Sequence, residues 1–79
     1  MTKLPTISSS KLIRKLLKSG FQDAPIKGKG SHRALIRMDK DGKTHLVIIP
    51  QRDPIPKGTL LSIIKQSGLS RDEFIELIK

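Results

Sequence analysis

Residues 31–50, SHRALIRMDKDGKTHLVIIP, decide the fold. From His32 to Met38 the chain alternates: His32, Ala34, Ile36 and Met38 point one way, Arg33, Leu35 and Arg37 the other. A period of two is the signature of a strand. Asp39-Lys40-Asp41-Gly42 carries an Asp-Gly pair, the signal of a tight hairpin. Thr44 to Ile49 returns as a second strand rich in β-branched residues, and Pro50 ends it. This pairing puts His45 near Arg37 or Met38, well along from His32.

Working outward on the N-terminal side, the Gly- and Lys-rich loop 27–31 precedes His32. Before it, Phe21 to Ile26 reads as a short strand that Pro25 confines to a sheet edge. Ser8–Ser10 can cap a first helix whose Leu12, Ile13, Leu16 and Leu17 form an apolar stripe, with Lys11, Arg14, Lys15 and Lys18 off it. Gly20 reads as that helix's stop. On the C-terminal side, Pro50, Pro54 and Pro56 stiffen the connection. Gly58-Thr59 opens a second helix with Leu60, Leu61, Ile63 and Ile64 as its buried stripe, and Gly68 ends it. Ser70-Arg-Asp-Glu73 is a capping box that starts a last helix bearing Phe74, Leu77 and Ile78. The order α-β-β-β-α-α predicts a two-layer α+β domain, a three-stranded antiparallel sheet covered by helices. Residues 1–79 make one domain.

Composition narrows the function. Sixteen Lys and Arg against seven Asp and Glu give a net charge of +9. Such a field favours a polyanionic nucleic acid or an acidic protein partner, with plain solubility as the simpler alternative. Phe21 and Phe74 are the only aromatic residues and both sit in apolar patterns, so rings for base stacking are missing. Binding to RNA would have to act through phosphates, ribose and shape. There is no cysteine, which removes disulfides, thiolate metal sites and a cysteine nucleophile. The two histidines and scattered carboxylates show no metal-ligand spacing, and no cofactor motif such as a P-loop is present. The N-terminal stretch lacks the apolar core of a signal peptide, and the apolar run Leu46–Ile49 is far short of the ~20 residues a membrane span needs. A cytoplasmic protein with no membrane contact is expected.

His32 is the residue best suited to chemistry. Histidine is the side chain most easily used as a general base near neutral pH. RNA supplies its own nucleophile in the ribose 2′-OH, and cutting it needs a base and positive charge at phosphorus. Lys27, Lys29 and Arg33 can hold the anion, and Ser31 can orient the imidazole or donate to a phosphate oxygen. The residue types alone also fit a locally hydrogen-bonded His32 and a Ser31 that merely closes the glycine turn. His45 reads as an exposed strand residue.

Taken together, these residues resemble the HicA family of bacterial toxin–antitoxin systems. The likeness rests on Gly20-Phe21, on Gly30-Ser31-His32 at the head of a strand, and on the strand ending in Pro50. It continues through Ile55-Pro56-Lys57-Gly58-Thr59-Leu60 and Gln66-Ser67-Gly68-Leu69-Ser70. The resemblance implies a fold similar to a double-stranded RNA-binding domain. It implies an mRNA interferase, an endoribonuclease that arrests translation and growth, with the motif histidine at His32. It also implies a cognate HicB-like antitoxin that covers the catalytic surface. A non-catalytic RNA-binding module and a protein-interaction domain are the alternatives.

Overall fold

In the computed structural model, which describes residues 4–24 and 32–79, the chain order is α1 (Ser9–Lys18), β1 (Gln22–Asp23), β2 (Arg33–Met38), β3 (Thr44–Ile49), α2 (Lys57–Ser67) and α3 (Arg71–Leu77). The strands form one antiparallel sheet in the order β1-β2-β3. The α+β architecture expected from the sequence is therefore present. Among the described residues no helix is long and apolar enough to cross a membrane.

The hairpin register pairs Arg33 with Ile49, Leu35 with Val47 and Arg37 with His45. These side chains share the face that the helices cover, where Leu35, Val47 and Ile49 are buried with Leu12, Leu16, Leu60, Ile63 and Phe74. The opposite face, with Met38 and Leu46, stays largely open. Phe21 and Phe74 are both core residues, as their patterns imply.

Three expectations change in detail. The described part of the first strand is only Gln22–Asp23, with Ala24 extending the pairing by one bond to the Ala34 carbonyl, while Pro25 and Ile26 lie outside the described residues. Leu17 and Leu61 are exposed rather than buried. Each sits one residue beyond a buried leucine and so about 100° around its helix. A helix covered on one side buries only the i, i+3, i+4 row, here Leu60, Ile63, Ile64 and Ser67 in α2. Finally, His45 is half-buried, and its Nε2 lies 2.8 Å from Asp39 Oδ2.

That last contact belongs to a joint between the hairpin and the end of α2. Asp39 Oδ1 accepts the backbone N–H groups of Asp41 and Lys43, both at 2.9 Å, which closes the turn. Its hydrogen bond to His45, with these amides in support, holds the Asp39 carboxyl below its ordinary range. Beside His45, Arg37 Nε donates to the Ser67 carbonyl at 3.1 Å, a cation at the negative end of α2. Gly68 then ends the helix at φ +75°, and a Cβ added there would lie 2.5 Å from His45 Cε1. Two constraints meet at one glycine: a left-handed backbone and an imidazole with no room to spare. Gly68→Ala should therefore destabilise the fold by about 2–4 kcal/mol, from left-handed strain plus overpacking. Urea unfolding will measure this. The cost should shrink in a His45→Ala background, and an equal cost in both backgrounds would show that the ring is no obstacle.

The helix starts are set by serines. Ser8 Oγ accepts from the Lys11 amide and caps α1. At α3 the expected capping box forms: Glu73 N–H donates to Ser70 Oγ, and the Ser70 amide donates to Glu73 Oε1. Those same bonds hold the Glu73 carboxyl below its usual range, the Ser70 amide most of all. Ser9 has a different task. Its amide donates to the Arg52 carbonyl at 2.9 Å, and its hydroxyl accepts from the Arg52 amide at 3.2 Å. The Ile55 amide likewise donates to the Ile7 carbonyl at 2.9 Å. The proline-rich connection is thus stitched to the entry of α1, with Asp53-Pro54 in the cis form.

Candidate active site

The end of the β2–β3 ladder creates the site. Next in register after Arg33 and Ile49 come His32 and Pro50. Proline has no N–H to donate, so regular pairing stops at Arg33 and His32 is left at the tip of its strand. The His32 side chain is exposed there. It makes no hydrogen bond or ion pair among the described residues.

Two grooves meet at this histidine. One, of about 320 Å³, runs between the sheet and the start of α1 and is lined by His32, Arg33, Ile49, Ser10, Ile13 and Gln51. The other, of about 390 Å³, runs between β3 and α2 and is lined by His32, Pro50, Arg52, Thr59, Ser62 and Gln66. Gln51 and Arg52 are consecutive, so the connection after Pro50 forms the divide between the grooves. A third hollow, of about 500 Å³, lies between Leu4–Thr6 and the 54–57 segment and carries no histidine.

Of the side chains expected to bind substrate, Arg33 reaches the first groove. Its guanidinium is already occupied: Nε donates to Asp23 Oδ1 at 2.9 Å and Nη2 to Asp23 Oδ2 at 3.0 Å. Both partners are about half exposed, at 46% and 60%, so this fork is worth under about 1 kcal/mol and a phosphate can compete with it. Lys27, Lys29 and Ser31 lie outside the described residues. His45 sits opposite Arg37, at the far end of the ladder from His32, and is engaged by Asp39. The two histidines do not form an acid–base pair.

Residues 9–69 match the family model of the HicA toxin of bacterial toxin–antitoxin systems. The match runs from the first residue of α1 to Leu69, just past the Gly68 cap, and so spans the whole sheet and both grooves. The chain belongs to the HicA toxin family. A comparison with curated protein sequences found no match. Membership in the HicA family makes the chain a toxin-type domain and implies a cognate antitoxin as partner.

Within this HicA domain, Gln51, Arg52 and the Thr59–Ser62–Gln66 row of α2 carry no motif that marks them as site residues. Their place follows from register. Once the Asp-Gly turn pairs Arg33 with Ile49, residues 51 and 52 must leave the sheet beside His32. In the HicA segment Gly30-Ser31-His32, the histidine lies at the mouth of both grooves.

Proposed function

We propose that this HicA toxin is a metal-independent endoribonuclease that cuts mRNA, with His32 as general base. One observation carries the reading: the imidazole is solvent-exposed at the point where two grooves meet, on a chain of net charge +9. An RNA strand laid across that point brings a ribose 2′-OH to the ring nitrogen. The ring accepts the hydroxyl proton as the 2′ oxygen bonds to phosphorus. The P–O5′ bond then breaks, and the departing 5′ oxygen takes up a proton from solvent. The products are a 2′,3′-cyclic phosphate and a 5′-hydroxyl end. Positive charge at phosphorus steadies the extra negative charge of the transition state. Lys27, Lys29 and Arg33 supply it in this reading, and Ser31 donates to a phosphate oxygen. The whole chain, residues 1–79, acts as one toxin domain in the cytoplasm. A HicB-like antitoxin covers the grooves and blocks the strand's path.

The test uses antitoxin-free toxin, a messenger RNA and excess chelator. Cleavage is expected to continue in chelator and to leave cyclic-phosphate ends that polynucleotide kinase can remove. RNA that stays intact while binding in a salt-dependent manner would identify a binding module instead.

A further inference from the structure

We propose that Arg52 adds a guanidinium to the cations that hold the RNA phosphate beside His32, with a larger contribution than Arg33, and that the groove along α2 takes the adjoining ribose-phosphate. The inference rests on the reading of the site as an RNA-cleaving one and adds to it a second binding limb.

Among the described residues two cations line the grooves that meet at His32, Arg33 and Arg52, and their states differ. Arg33 is held in a fork by Asp23. The guanidinium of Arg52 has no hydrogen-bond or ion-pair partner among the described residues, and Arg52 is exposed. Its backbone, by contrast, is fixed on both sides by Ser9, at 2.9 and 3.2 Å. A clamped backbone under an unengaged planar fork is well suited to a phosphate, because the site is placed in advance and two parallel N–H groups match two phosphate oxygens. Asp23 has the reverse effect on Arg33. It neutralises that charge and must be displaced before a phosphate can bind.

The wall beyond Arg52 is polar on its α2 side. Gln66 Oε1 accepts the Ile48 amide at 3.0 Å, which fixes the side chain and leaves its NH₂ group able to donate. Ser62 Oγ donates to the Gly58 carbonyl at 3.3 Å and keeps its lone pairs for a donor such as a ribose hydroxyl. Thr59 lies one turn earlier on the same helix face. A strand with its reacting phosphate at His32 needs room on both sides, and this groove offers it on the side away from α1.

The experiment compares Arg52→Ala, Arg52→Lys, Arg33→Ala and Lys43→Ala, the last removing one charge at the hairpin end of the ladder. Cleavage is read on the otherwise wild-type protein. Binding of a short fluorescent single-stranded RNA is read across a salt series in a His32→Ala background. Arg52→Ala should lower cleavage and binding about tenfold to a hundredfold and flatten the salt dependence by about one unit of slope. Arg52→Lys should restore part of the binding. Arg33→Ala should cost less than about fivefold, in keeping with a pair already satisfied at the surface. Losses from Arg33→Ala or Lys43→Ala equal to those from Arg52→Ala overturn the assignment. Wild-type cleavage with undiminished activity in Arg52→Ala removes the inference and spares the nuclease reading. Arg52-dependent binding without any cleavage does the reverse. A protein that neither cuts nor binds RNA removes both.

Discussion

His32→Ala should lower RNA cleavage by about 10²–10⁴-fold, the usual cost of removing a general base, and should abolish the growth arrest expected on expressing the wild-type chain. The size of the effect follows from the site's composition. Among the described residues the other histidine is bonded to Asp39 at the far end of the ladder, so no second imidazole stands ready to take over. Fold stability should stay within about 0.5 kcal/mol of wild type, since His32 is exposed and has no described polar partner. That contrast gives the measurement its force. Melting curves of the two proteins should overlay while their cleavage rates separate by orders of magnitude. Equal cleavage by both would remove the imidazole from the mechanism. The antitoxin adds a check on geometry: an equimolar amount should suppress cleavage by the wild type. A stable complex that leaves activity undiminished would place the antitoxin away from the grooves.

Much of this arrangement can be read before any coordinates. The alternation from His32 to Met38, the Asp-Gly turn and the β-branched return imply the hairpin and, by counting from the turn, its register. Pro50 then falls opposite His32, which explains why that ring stands free at a strand tip. What escapes the sequence is what depends on contacts between distant segments. The fork between Asp23 and Arg33 joins two strands at positions ten residues apart, and nothing in either local pattern announces it. The loss of Leu17 and Leu61 from the core reflects how wide a stripe one sheet face can cover, a matter of packing rather than period. The fit of His45 against Gly68 is similar. Gly68 reads as a helix stop from local rules, but the ring that fills the space above it arrives from a strand more than twenty residues earlier. Arg52 looks like one more surface cation until Ser9 is seen to clamp its backbone beside the histidine.

Phe74→Ala should unfold the domain or leave it barely folded. Phe74 is fully buried and belongs to the same core cluster as Leu12, Leu16, Leu35 and Leu60. Deleting a buried phenylalanine ring costs about 3–5 kcal/mol in lost transfer energy and residual cavity. A domain of this length has roughly 4–12 kcal/mol to lose, at about 0.05–0.15 kcal/mol per residue. A small core has little means to absorb the hole, since a domain of this size buries only about 60% of its unfolded surface. The site lies on the opposite side of the logic from His32. Residues 71–77 fall beyond the family match, which stops at Leu69, yet α3 contributes Phe74 and Ile75 to the buried set and is followed at once by buried Ile78. A chain cut after residue 69 loses all three and should fail to fold for the same reason. Thermal melts followed by far-ultraviolet circular dichroism will decide. A cooperative transition within a few degrees of wild type in Phe74→Ala would mean that α3 is an appendage rather than part of the core. If the transition is lost, cleavage must be lost with it, because both grooves are held open by a sheet and helices that share that one apolar cluster.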